Sequence, residues 1–108
     1  MAVSYKQLGQ GNPGAVLTDL YTVPAATEGI VSSVVACNRS AVAKTFRVSV
    51  AVAGASDDPE QYYVYDRSIP ANDTTIVQIG ISLAATDVVR VYASTTDVSF
   101  SINGMEIT

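Results

Sequence analysis

Apolar side chains recur at every second position along this chain, in short runs separated by turn residues. The clearest run is Thr45 to Ala53, where Phe46, Val48, Val50 and Val52 alternate with Thr45, Arg47, Ser49 and Ala51. Successive side chains of a β-strand point to opposite faces, so this run predicts a strand with one face in a core and the other towards solvent. The same period puts Thr75, Val77, Ile79 and Ile81 on one face. It does so again for Val89, Val91 and Ala93, and for Val98, Phe100 and Ile102. Val3 to Leu8, Ala15 to Val23, Ile30 to Cys37 and Gln61 to Asp66 supply the remaining strands. That makes about eight strands with no amphipathic helical pattern between any two of them, which excludes a parallel βαβ arrangement. The prediction is an all-β fold, an antiparallel β-sandwich closed in either a jelly-roll-like or an immunoglobulin-like way.

Turn chemistry sets the expected boundaries. Gly9, Gln10, Gly11, Asn12, Pro13 and Gly14 form a glycine-rich joint. Residues 1–14 are therefore expected to be an N-terminal arm or edge strand with its joint, and residues 15–108 a single sandwich domain. Gly54 to Glu60 reads as a polar loop, Ile69 to Asp73 as a corner, and Thr95-Thr96 as a tight hairpin between the last two strands. Gly80 interrupts its run and marks a bulge or a close backbone approach.

Composition narrows the class further. The chain has 108 residues, room for one core, and only 15% of them are charged, fewer than the ~25% usual in soluble domains. Part of its surface is therefore expected to be covered in the working state. The net charge is −4 and the six cations are scattered, so no basic stripe exists to neutralise a phosphate backbone and nucleic acid is not an expected partner. Met1 to Gln10 lacks the basic and apolar regions of a signal peptide, which implies synthesis in the cytoplasm. No apolar stretch approaches the ~18 residues of a membrane span, so no membrane association is expected. Cys37 is the single cysteine and, in its apolar run, reads as a small buried hydrophobe.

The chemistry-bearing residues point away from catalysis. With no histidine, the commonest general base, triad partner and metal ligand is missing. Asp57, Asp58 and Glu60 form the densest acidic cluster, but a proline-containing loop is where solvated carboxylates ordinarily sit, and the spacing lacks the alternation of an EF-hand. No catalytic residue, cofactor or metal site is expected. Tyr62, Tyr63 and Tyr65 stand out, since tyrosine joins apolar area to a polar tip and suits core packing, a protein interface or a carbohydrate platform. Alternation sends Tyr63 and Tyr65 one way and Tyr62 the other. The residues expected to contact another protein are Tyr5, Lys6 and Leu8 of the arm with Tyr62, Tyr63 and Tyr65.

Several segments resemble a family of small virion structural proteins of tailed bacteriophages, including those of cyanobacteria. They are Val3 to Gln10, Leu17 to Ala25, Val35 to Arg39, Ile69 to Thr74, Gly80 to Leu83, Ala85 to Ser94 and Val98 to Phe100. The resemblance spans nearly the whole chain and consists of turn and strand signatures. It implies a non-enzymatic particle component made in the host bacterial cytoplasm and mounted on the virion. The first expectation is a capsid cement or decoration protein. It would bind the major capsid protein and copies of itself as a homo-oligomer, with a trimer matching a threefold shell site. The alternative is a tail or baseplate adhesion module whose loop tips meet a host glycan.

Overall fold

Each alternating run becomes a strand, and the inward residues meet across two sheets. The computed structural model describes residues 2–108 as β1 (Val3–Gly11), β2 (Thr18–Thr22), β3 (Glu28–Asn38), β4 (Lys44–Ala51), β5 (Tyr62–Ile69), β6 (Thr74–Leu83), β7 (Val88–Ala93) and β8 (Val98–Ile107). Two 3-10 turns, Val52–Gly54 and Pro59–Gln61, lie between β4 and β5. One sheet, sheet A, has the order β1-β8-β3-β6, and the other, sheet B, has β2-β7-β4-β5. All pairings are antiparallel. An immunoglobulin sandwich would place β1 beside β2, whereas here, among the described residues, β4–β5 is the one pair of consecutive strands that hydrogen-bond to each other. The chain therefore crosses between sheets at nearly every turn, in jelly-roll order.

The core lies between the sheets. Val31, Val34 and Ala36 of β3, Val77 and Ile81 of β6, and Val98, Phe100 and Ile102 of β8 meet Phe46 and Val48 of β4 and Val89, Val91 and Ala93 of β7. The rings of Phe46 and Phe100 bridge the sheets at 6.0 Å between centroids, tilted by 56°. Tilted aromatic pairs at this separation favour the quadrupole as well as the area buried.

Several sequence expectations change for physical reasons. The tight hairpin expected at Thr95-Thr96 is an inter-sheet corner, because both edges of β7 are already occupied by β2 and β4 and β8 must pair elsewhere. Arg39 holds that corner, its Nη2 donating to the Thr96 carbonyl at 2.7 Å and its backbone N–H to the Asp97 carbonyl at 2.9 Å. Val52 leaves the alternation of β4 and is exposed in a 3-10 turn. Cys37 lies on the outward side of β3, half-buried, because Ala36 takes the inward position.

The segment expected as an arm or edge strand is the edge strand β1, paired with β8 from Val3 to Gly11. Gly9 and Gly11 belong to that strand, and Gly9 serves as a contact point between the sheets. A Cβ at Gly9 would run into the backbone carbonyl of Leu20 in β2, so glycine lets the two sheet edges close upon each other. One extra residue, Leu8, is accommodated between Gln7 and Gly9 opposite β8, and its side chain packs on the core. Gly80 lies where β6 gains a residue relative to β3, between the pairs Val31–Ile81 and Ser33–Gln78.

Candidate functional site

The most structured feature outside the core is built on the outer face of sheet B. The β4–β5 ladder pairs Ser49 with Tyr62, Val48 with Val64 and Phe46 with Arg67. One residue step in β4 thus spans two in β5, and the next two steps span three, so β5 carries two bulges. The first bulge resets the alternation, and Tyr62 and Tyr65 share the outer face instead of opposing each other. Their rings meet edge to face, 5.1 Å apart at 88°. Tyr63 is exposed at the edge, near Val50, Val52 and Gln61. The second bulge contains Asp66 in the left-handed region, φ 51°. That turn aims its carboxylate back at Arg47.

Arg47 organises the surface. Its guanidinium donates to both carboxylate oxygens of Asp66, at 2.6 and 3.1 Å. It also lies over the rings of Tyr65 and Tyr92, 4.3 and 4.4 Å from their centroids. A planar cation with a bidentate partner and an aromatic face on either side has little rotational freedom left. Hydrogen bonding to Arg47 holds the Asp66 carboxyl below the ordinary carboxylate range.

The loop between β4 and β5 folds over this face and forms the second wall. Arg90 of β7 clamps it, donating to the carbonyls of Ala55 at 2.7 Å and Gly54 at 3.3 Å and to Asp19 Oδ1 at 2.8 Å. Asp87 accepts from the backbone N–H of Ala53 at 2.9 Å, and Gln61 Nε2 donates to the Ser56 carbonyl at 2.8 Å. Asp58 accepts from the Glu60 N–H and caps the turn that Pro59 opens. A cleft of about 450 Å³ remains between loop and sheet, lined by Arg47, Asp57, Asp58, Pro59, Tyr62 and Tyr65. Partial burial, then a hydrogen bond to the Asp57 carboxylate, raises the Tyr62 phenol. Under the loop, Ser49 Oγ and Gln61 Oε1 are buried without a protein partner.

The six residues expected at a protein interface fall into two groups at opposite edges of the sandwich. Tyr62, Tyr63 and Tyr65 lie on β5, the outer strand of sheet B, while Tyr5, Lys6 and Leu8 lie on β1, which meets sheet B at β2. Tyr5 is 81% exposed. Lys6 forms an ion pair with Glu106 at 2.6 Å, and Glu106 also accepts from the Tyr21 phenol at 2.7 Å. Leu8 turns inward. Sequence reasoning missed Arg47 and Arg90, which read as scattered outward cations. Arg47 at an outward position of the strand that precedes the Tyr62, Tyr63 and Tyr65 cluster was the available signal. No sequence signal shows that Arg90 faces a loop more than thirty residues away.

The sequence matches no protein-family model, and no curated protein matches it. In three dimensions, the fold is similar to that of a chain in the structure of infectious bursal disease virus, Gx strain. The TM-score is 0.56 at 13% identity, over 97% of this chain and 30% of that chain. This chain therefore spans less than a third of the length of that neighbour, and the likeness is one of fold. Among the described residues, no helix is long and apolar enough to cross a membrane, and no group of three or more His, Cys, Asp or Glu side chains could hold a metal ion.

Proposed function

We propose that this chain is a non-enzymatic structural protein of a virion, a cement or decoration protein of a tailed bacteriophage that binds the major capsid protein and copies of itself. The observation that carries the reading is an asymmetry between sheet edges. Sheet A ends in β1 and β6, strands of 9 and 10 residues. β6 carries no charged residue and no proline, and the one charge on β1, Lys6, is tied to Glu106. Sheet B ends in β2, five residues long with a register shift, and β5, which carries two bulges, Asp66 and Arg67. Long uncharged edges present unpaired N–H and C=O groups as a template for another chain, and soluble proteins ordinarily blunt them. Every edge strand carries a bulge or register shift, so the asymmetry lies in length and charge: the edges of sheet B are short or charged, and those of sheet A are long and nearly uncharged. A module that works between neighbours has reason to keep such edges open, β6 and the part of β1 before its Gly9 contact with β2, and Tyr5 and Ile76, exposed along them, add apolar area. Many copies on a shell then hold by multivalency although each contact is small.

The fold shared with the viral structure above, and the sequence resemblance to virion proteins, support the same reading. The test is to purify particles and count copies of this chain. Hundreds per particle, removed by Ile76→Lys with Gln78→Lys on the β6 edge, is the expected result. A copy number of a few dozen or fewer would place it in a tail or baseplate module instead.

A further inference from the structure

We propose that the cleft between Tyr62, Tyr65 and the Asp57–Pro59 loop binds a neutral saccharide. The site is independent of how the chain is mounted, because it lies on the outer face of sheet B while the open edges belong to sheet A.

Charge selects the ligand class. An anion would meet Asp57 and Asp58, and the one cation of the cleft, Arg47, is already engaged by both oxygens of Asp66. A cationic side chain would find the ring face of Tyr65 already taken by Arg47 at 4.3 Å, and the two carboxylates already accepting from the Tyr62 phenol and the Glu60 N–H. An uncharged polyol meets neither obstacle. Its hydroxyls donate to the free lone pairs of the Asp57 and Asp58 carboxylates and of the Tyr62 phenolic oxygen, while the C–H face of a pyranose packs on tyrosine. Tyr65 remains 61% exposed despite the Arg47 stack, so aromatic area is available. A volume of about 450 Å³ falls within the ~300–1,000 Å³ of small-ligand clefts.

The walls are also held before any ligand arrives. Tyr65 is fixed between Arg47 and Tyr62, and the loop is pinned by Arg90, Asp87 and Gln61. Ordering flexible side chains on binding costs about 0.5 to 1.5 kcal/mol each, a cost that pre-formed walls largely avoid.

The experiment presents the full chain to an array of immobilised neutral, amino and acidic glycans, with a lysine-rich peptide alongside. Retention of at least one neutral glycan is expected, weakened about tenfold or more by Tyr65→Ala and by Asp57→Asn. Tyr65 and Asp57 are exposed, so both variants should keep the wild-type circular dichroism spectrum, and amide shifts on titration should centre on residues 57–65. Binding confined to acidic glycans, binding of the peptide alone, or no retained glycan would overturn the proposal, as would neutral-glycan binding indifferent to both variants. Each outcome leaves the copy number in particles untouched, so failure here is separable from failure of the structural role.

Discussion

Asn38 offers the sharpest test of how this sandwich is held together at its ends. It is the last residue of β3 and 1% exposed. The two N–H groups of its amide reach the carbonyls of Val42, Ile69 and Pro70 at 2.9, 3.1 and 3.1 Å, one of them shared between two carbonyls, and its Oδ1 accepts from the Ser40 N–H at 2.9 Å. One side chain thus ties the β3–β4 loop to the β5–β6 corner. Asn38→Ala leaves those four backbone groups without their partner. At about 1 kcal/mol for each hydrogen bond, with an added penalty for groups kept from water, the loss should be about 3 to 5 kcal/mol. That is a large share of the ~5–15 kcal/mol that holds a domain folded. Asn38→Asp keeps the shape and the Oδ1 acceptor but turns a carboxylate towards three carbonyl oxygens. Its charged form is disfavoured in the folded state, so its folded pKa must lie above the unfolded value of ~3.9, and stability should fall as pH rises from ~4 towards neutrality. Urea titrations of both variants at several pH values measure this. A loss below about 1 kcal/mol for Asn38→Ala, or an Asn38→Asp variant whose deficit does not grow with pH, would refute the account.

Further outcomes follow from the packing. Phe100→Ala, which removes half of the ring pair bridging the sheets, should cost about 3 to 5 kcal/mol by chemical denaturation; a loss under about 1 kcal/mol would mean the ring is not in the core. A Cβ at Gly104 would collide with the Ile30 carbonyl and crowd Leu8, so Gly104→Ala should destabilise the β1–β8–β3 end far more than Gly80→Ala, whose Cβ would meet nothing; equal midpoints would contradict the close approach. Ser49→Ala removes a buried hydroxyl with no protein partner and should leave stability unchanged or raise it by about 1 kcal/mol, and a clear loss would reveal an unrecognised bond. Hydrogen bonds from Lys6 and Tyr21 lower the Glu106 pKa, so this cluster contributes stability above the unfolded carboxylate pKa of ~4.3 that is lost as pH falls through the folded value. Glu106→Gln should flatten that acid limb, and an unchanged pH profile would show that the cluster contributes nothing.

The strands that sequence reasoning located best are those whose inward face runs on with no interruption. Phe46 to Val50, Val89 to Ala93 and Val98 to Ile102 alternate strictly because both sheets demand it, and each inward residue named from the pattern lies in the core. The tyrosine segment was misjudged for the opposite reason. Period-two reasoning assumes an unbroken ladder, and each bulge in β5 shifts the later side chains by one face. Bulges arise from pairing with a particular neighbour, so Tyr62 and Tyr65 could be placed together only once β4 was known to be that neighbour. Asn38, just past the predicted Ile30 to Cys37 strand, gave no local sign of its role for a related reason: its side-chain partners lie up to 32 residues away, in another turn.

Side-chain polarity at alternate positions is a local property of the chain, and it was enough to determine an all-β sandwich with a valine-rich interior and a surface poor in charge. Strand order is not local. Jelly-roll and immunoglobulin closures bury the same faces of the same segments, and they differ in which edges hydrogen-bond, a choice made by long-range packing. Only the tertiary structure therefore decided that β7 and β8 part company at Thr95, that Gly9 seals one side, and that Arg47 stands between two tyrosines above a cleft.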